Sequence, residues 1–232
     1  MGPSSGPSPY DGRVVTVPEH WSRMRDKLTP KVILEGTRLT RKTDLAFALN
    51  EHPRIVGPRR YRYHSPLISA EWCGFTARPW GRGPVDFAPD EEARAMETFA
   101  TWARLFELMP HYSWIVDRFH VSSRVWHREH ADRDLDFAWL EERLVPLGFH
   151  AVLCVRRPET FEAARADRLR VSGNPGQYAD LGAFVAEQER FRAACAESAL
   201  PLLELDMTDI TLDEACERVA DWMTETGGLW AP

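Results

Sequence analysis

Lysine is nearly missing from this chain: of 29 basic residues only Lys27, Lys31 and Lys42 are lysine, leaving 26 arginines, so a lysine in a motif position stands out. Cysteine is scarce as well. Cys73, Cys154, Cys195 and Cys216 lie far apart with no C-x-x-C spacing, which excludes a disulfide framework and a structural zinc site and leaves four small apolar residues. No run approaches 18 consecutive apolar residues, and the opening Met1-Gly-Pro-Ser-Ser-Gly-Pro-Ser-Pro-Tyr10 lacks the charged-then-apolar order of a secretory signal. The expectation is a cytoplasmic protein without a membrane role. A net charge of −6 leaves no basic excess of the kind that nucleic-acid binding requires. No internal repeat is visible.

What is present is ordinary globular composition, 232 residues with 44% apolar and 28% charged, enough for one large α/β domain. Residues 1–29 read as an N-terminal extension whose Gly/Pro/Ser-rich first part is expected to be disordered, and 30–232 as the domain. Apolar runs at Lys31–Glu35, Tyr112–Val116, His150–Val155 and Pro201–Leu205, with a weaker one at Arg54–Gly57, alternate with helical periodicity over 91–109, 178–199 and 211–223. That alternation predicts a five-stranded parallel sheet with helices on both faces. Asp90 is the expected cap of the 91–109 helix, whose Ala95, Phe99, Trp102 and Phe106 share one face; Thr211 and Glu214 form a capping box for the last helix. Each strand delivers polar residues at its carboxyl end, where open α/β sheets bind ligands. The aperiodic stretch 57–90 is long for a loop and holds Arg59, Arg60, Trp72, Phe75 and Trp80, which suit an aromatic or anionic substrate.

One segment carries chemistry directly. A strand ends at Glu35, Gly36 opens a turn, and five residues later Lys42-Thr43 begins a helix whose lysine is expected to be exposed. In that geometry backbone N–H groups and a helix N-terminus cradle phosphates, the lysine reaches β/γ oxygens and the hydroxyl holds Mg²⁺. Arg41 occupies the place of the second glycine in G-x-x-x-x-G-K-[ST], and Arg38 and Arg41 offer side-chain charge where a loop of glycines offers backbone donors. Asp117-Arg118 ends a strand beside this one and supplies a carboxylate and a guanidinium. His127 and His130 share a helical spacing but lack a third metal ligand.

Taken in order, Glu35-Gly36 with Lys42-Thr43, Asp117-Arg118-Phe-His120-Val-Ser122, Pro158-Glu159 followed by Arg165-Ala-Asp-Arg168-Leu-Arg170, and Leu205-Asp206-Met-Thr208 span residues 30–225. In this the chain resembles the thymidylate kinase-like and deoxynucleoside kinase families. The resemblance implies a P-loop NTPase-type three-layer fold and Mg²⁺-assisted transfer of the γ-phosphoryl of ATP to a nucleoside, a nucleotide or another small hydroxyl-bearing metabolite. Lys42, Asp117, Arg118, Arg165 and Arg168 then serve catalysis. Gly36, Arg38, Arg41, Lys42, Thr43, Arg170 and Asp206 take ATP, Thr43 and Asp117 take Mg²⁺, and Arg59, Arg60, Trp72, Phe75 and His120 take the acceptor. Relatives dimerise through helices flanking the third strand, which implies a homodimer contact on the 91–109 helix. Two departures stand out. The families usually have glycine at the positions of Leu39 and Arg41, and a Glu-Pro at the end of the second strand, where this chain has Gly57-Pro58 instead. These departures support a second reading, a catalytically silent member acting as a binding or assembly subunit.

Overall fold

The computed structural model describes residues 28–57, 67–76 and 81–230. Strand β1 (Lys31–Glu35) is buried along its whole length, as a β-branched run between two parallel neighbours should be. It is followed by α1 (Lys42–Glu51) and a single turn, α2 (Pro53–Val56). Next come β2 (Leu67–Ser69), α3 (Glu92–Leu108), β3 (Trp114–Asp117), α4 (His120–His130) and α5 (Ala138–Leu144). The remainder is β4 (His150–Val155), α6 (Phe161–Leu169), α7 (Leu181–Ala196), β5 (Leu202–Asp206) and α8 (Leu212–Glu225). The strands are all parallel, in the order β2-β3-β1-β4-β5, with Ile33 opposite Val116 on one side and Ala151 on the other.

Alternation along the strands divides the core. Val32, Leu34, Ile115 and Val152 turn to one face and pack on Leu45 and Leu49 of α1 and Val219 and Met223 of α8. Ile33, Val116 and Ala151 turn to the other, against Phe99 and Phe106 of α3, Phe119 and Leu140. This is the expected three-layer architecture. Trp102 packs edge-on to Phe99 in the second core. Cys154, Cys195 and Cys216 are buried free thiols and Cys73 is half-buried; burial pushes the Cys154 thiol up to about 12. No helix among the described residues is long and apolar enough to cross a membrane.

The fifth strand is not where the sequence placed it. Residues 53–56 form α2, because Pro53 at the first helical position has its φ preset and no N–H to leave unpaired, and Gly57, at φ 68°, ends the turn. The edge strand is instead Leu67–Ser69, inside the stretch read as irregular, and pairs Leu67 with Ile115 and Ser69 with Asp117. The third strand is likewise shifted to Trp114–Asp117, so Asp117 is its last residue. Asp90 does not cap α3: it lies in a 3₁₀ turn over Pro89–Glu91, where Glu91 accepts the Ala88 N–H at 2.8 Å. The expected helix over 178–199 is a 3₁₀ turn at Pro175–Tyr178 and then α7, capped by Asp180 accepting from the Ala183 N–H. Thr211 and Glu214 form the predicted capping box on α8.

Candidate active site

The loop between β1 and α1 lies at the carboxyl edge of the central strand. Gly36 sits at φ 135° so close to β4 that a Cβ there would collide with the Cys154 carbonyl, so only glycine fits. Leu39 and Arg41 then adopt left-handed φ values of 67° and 60°. A non-glycine residue in that region loses about 1–2 kcal/mol. Side chains hold the loop there. Leu39 packs on Phe161, Tyr178 and Phe184, its carbonyl accepts Arg156 Nε at 3.1 Å, and Arg41 Nη1 donates to the Ile210 carbonyl at 3.3 Å. Thr40 Oγ1 donates to the Thr37 carbonyl at 2.9 Å, and Thr37 donates to Glu187 of α7. The two side chains that replace glycines are therefore tied to the walls.

Below the loop, Glu35 is fully buried and accepts the Phe119 N–H at 2.9 Å, the Ser122 N–H at 3.3 Å and the Ser122 hydroxyl. Burial pushes its carboxyl up despite these donors and the nearby His120 and Arg118 charges. It ties the end of β1 to the start of α4. The sequence expectation of an exposed Lys42 is corrected here: it is buried, with Nζ 3.4 Å from Asp117 Oδ1 and 3.7 Å from Glu71 Oε2, because α1 starts directly over the ends of β1 and β3. Thr43 Oγ1 donates to Asp117 Oδ2 at 2.6 Å. Asp117 Oδ1 is buried and accepts no hydrogen bond among the described residues. A hydroxyl beside an incompletely satisfied carboxylate is a donor set that suits a hard cation such as Mg²⁺.

Glu71 was missed. It stands two residues beyond β2 and faces three cations, with Arg118 Nε at 2.9 Å, Arg38 Nη2 at 3.6 Å and Lys42. Burial alone would raise its carboxyl, but Arg118, Lys42 and Arg38 outweigh it and hold the group down at about 2. A glutamate thus stands two residues beyond the second strand, followed by Trp72, whereas reading Gly57-Pro58 as that strand's end places the strand too early. Arg118 at φ 60° bends the chain after β3, its N–H donating to the Leu34 carbonyl at 2.9 Å, which sends its side chain to Glu71 while Phe119 enters the core.

These groups line a cleft of about 1060 Å³ along the carboxyl edge of the sheet, running from Thr208 and Asp209 beyond β5 to Trp72, Asp86 and Trp126 beside β2 and α4. Of the residues expected in the site, Arg38, Arg41, Lys42, Thr43, Trp72, Arg118 and Arg168 line it, and Asp117 stands behind Lys42. Gly36 shapes the loop from beneath. Others lie apart in this structure. Arg165 is held by Glu162 at 2.6 Å, and Arg170 is exposed and 3.4 Å from Asp167. Asp206 accepts the Thr208 N–H at 2.8 Å, and Phe75 lies under the Arg94 guanidinium. His120 is buried and bonded to Glu141 at 2.8 Å, because the first turn of α4 rotates it away from Arg118 and into the core. Arg59, Arg60 and Trp80 lie outside the described residues. His127 and His130 do not converge: burial and Arg133 hold the first down at about 4 against Phe87, while the second stacks on Trp126 in the cleft wall. No group of three or more metal-ligating His, Cys, Asp or Glu side chains occurs among the described residues.

A five-stranded parallel sheet with helices on both faces and a glycine-opened turn after its central strand is the three-layer P-loop NTPase-type fold. Among solved structures the chain is similar to the YorR protein of Bacillus subtilis, determined in complex with phosphorylated GDP, at 18% identity and a TM-score of 0.58, covering 84% of this chain and 96% of that one. It also matches a sugar kinase from a Janibacter species at 12% identity, covering 88% of this chain and 99% of that one with a TM-score of 0.48. A thymidylate kinase from Candida albicans matches at 13% identity, 87% and 93% coverage and a TM-score of 0.45. No family model matches the chain, and no curated protein does.

Proposed function

We propose that the protein is a phosphotransferase that moves the γ-phosphoryl of ATP, with Mg²⁺, to the hydroxyl of a nucleoside, a nucleotide or another small metabolite. The observation that carries this reading is the loop itself: Leu39 and Arg41 keep the left-handed turns that glycines would supply, and both side chains are tied back to the walls beside Lys42, Thr43 and Asp117. Phosphoryl transfer asks a protein mainly for positioning and charge compensation, which these groups provide.

On this reading the loop N–H groups and the start of α1 receive the donor phosphates, and Lys42 leaves Glu71 to compensate the β and γ oxygens. Thr43 and Asp117 would hold Mg²⁺, which when bound would supply positive charge to offset that of the phosphates. Glu71 orients the acceptor hydroxyl and takes its proton as the new O–P bond forms and the bond from the γ-phosphorus to the bridging oxygen breaks. Its low pKa depends on the three cations, so their transfer to phosphate raises its basicity at the moment it is needed. Arg118 and Arg168 flank the transferring group, with Arg165 on the same short helix as Arg168, and Arg170 just past its end, as its lid. Asp206 belongs to the donor-base end. Residues 30–232 are the kinase domain and 1–29 its extension, acting in the cytoplasm, with exposed Leu105 and Leu108 of α3 at a homodimer contact.

The test is acceptor-dependent ADP formation across nucleosides, nucleotides and small polyols. Turnover that disappears in Lys42→Ala supports the proposal. MgATP binding without turnover on any acceptor favours the silent binding subunit instead.

A further inference from the structure

The cleft is divided by charge. On the β2 side, Arg38 and Arg118 face Glu71, and Lys42 faces both Glu71 and Asp117. On the β5 side, Arg41, Arg156 and Arg168 also line the cleft, yet none of the three has a carboxylate within ion-pair distance among the described residues. They bond instead to the Ile210 carbonyl, the Leu39 carbonyl and the Tyr178 hydroxyl.

Arg156 is the best fixed of them. It directly follows β4 and is 8% exposed. Its N–H donates to Gln188 Oε1 at 2.8 Å while its carbonyl accepts Gln188 Nε2 at 3.0 Å, and Gln188 is itself only 1% exposed. The backbone is thus clamped on both sides by one buried amide. Nε is taken up by Leu39, and neither terminal nitrogen makes a hydrogen bond among the described residues. Burial and the neighbouring Arg41 charge push the guanidinium down from its ordinary value against the opposing pull of Asp206, Asp209 and Asp167, none of which is at ion-pair distance, and an arginine stays protonated at physiological pH. Two like charges are held near one another by backbone bonds, with no carboxylate at ion-pair distance. An anion between them would relieve that repulsion and match their planar forks.

We propose that Arg156 and Arg41 form a twin-guanidinium site for the polyphosphate of the donor, Arg156 binding phosphate with its terminal nitrogens while its Nε holds the left-handed Leu39. The pair supplies from side chains the grip that a glycine-rich loop supplies from N–H groups. The role assigned to the bound phosphate rests on the phosphoryl-transfer reading; the anion site does not.

The experiment is calorimetric titration of inorganic tripolyphosphate into the full chain and its variants. The wild type binds. Arg156→Gln keeps an amide that can donate to Leu39 but removes the charge, and binds roughly tenfold to hundredfold more weakly. Arg156→Lys recovers part of the loss. Arg41→Gln weakens binding similarly while its unliganded melting temperature changes little, because the lost hydrogen bond to Ile210 is offset by the repulsion removed. Arg190→Gln, whose charge pairs with Glu129 away from the cleft, binds as the wild type does. Should Arg156→Gln not fold, Arg41→Gln carries the test, since its side chain holds only one carbonyl. No binding by the wild type, or unchanged binding by the folded glutamine variants, overturns the site. Equal losses in the lysine and glutamine variants that track a fall in melting temperature assign Arg156 to loop support alone and also overturn it. Arginine-dependent tripolyphosphate binding without ADP formation from ATP leaves the site standing and removes the phosphoryl-transfer reading.

Discussion

The hydroxyl of Thr43 donates a 2.6 Å hydrogen bond to the buried carboxylate of Asp117, joining the first turn of α1 to the end of β3. The other oxygen of Asp117 faces Lys42 Nζ. The candidate centre is therefore assembled from the ends of two adjacent strands, and the lysine next to Thr43 is part of the fold as well as of the proposed chemistry.

Lys42→Ala accordingly lowers stability as well as abolishing turnover. Removing the cation leaves Asp117 buried without its ion pair, a change that costs about 3–5 kcal/mol when a buried pair loses one partner. Thermal unfolding of the variant without ligand checks this, and an unchanged melting temperature would remove the buried pair from the account.

Glu71→Gln separates binding from chemistry. It frees Lys42, Arg38 and Arg118 from a competing carboxylate, so MgATP binds as tightly as before or tighter, while turnover falls about 10²–10⁴-fold with the loss of the proton acceptor. A variant with normal kcat would show that Glu71 is only a charge partner.

Leu39→Ala undocks the loop from Phe161, Tyr178 and Phe184. The expected outcome is faster proteolytic cleavage around 161–184 and weaker MgATP binding, with the sheet intact by circular dichroism. Wild-type protection of that segment would mean the docking contributes nothing.

Stability depends on pH in the acid range through Glu141. Burial alone would raise its carboxyl, but His120, the Ser198 hydroxyl and the Ala199 N–H hold it down at about 2, against an ordinary 4.5. A depressed folded-state pKa contributes stability that is full above the ordinary value and is lost as pH falls from about 4.5 toward 2. Glu71 acts in the same direction. Denaturant midpoints measured across this range should fall with pH in the wild type and fall less steeply in Glu141→Gln, which begins from a lower stability.

Much of this was legible in the sequence because strand ends mark positions on the sheet edge. Asp117 ends a buried strand, and Lys42, Thr43 and Arg118 each follow one at short distance, which fixes them beside one another. The pieces that were hidden depend on tertiary context. Glu71 follows a three-residue strand too short to show a period, whereas Arg54-Ile-Val looks extended until Pro53 and Gly57 set its backbone. His120 is adjacent to the motif in sequence, but the first turn of α4 rotates its side chain away from the cleft and onto Glu141. Arg156 shares the strand-end signal by following β4, but in an arginine-rich chain nothing sets it apart from Arg157; its role comes from a buried glutamine 32 residues later and a carbonyl 117 residues earlier.

The central claim, that a phosphate loop without glycine at Leu39 and Arg41 still holds a nucleoside triphosphate, is tested most directly by thermal denaturation of the wild type with and without millimolar MgATP, alongside Lys42→Ala. A ligand at 100 times its dissociation constant stabilises the folded state by about 2.7 kcal/mol. The account predicts an upward shift in the wild type that is absent from the variant. No shift in the wild type at saturating MgATP would contradict it.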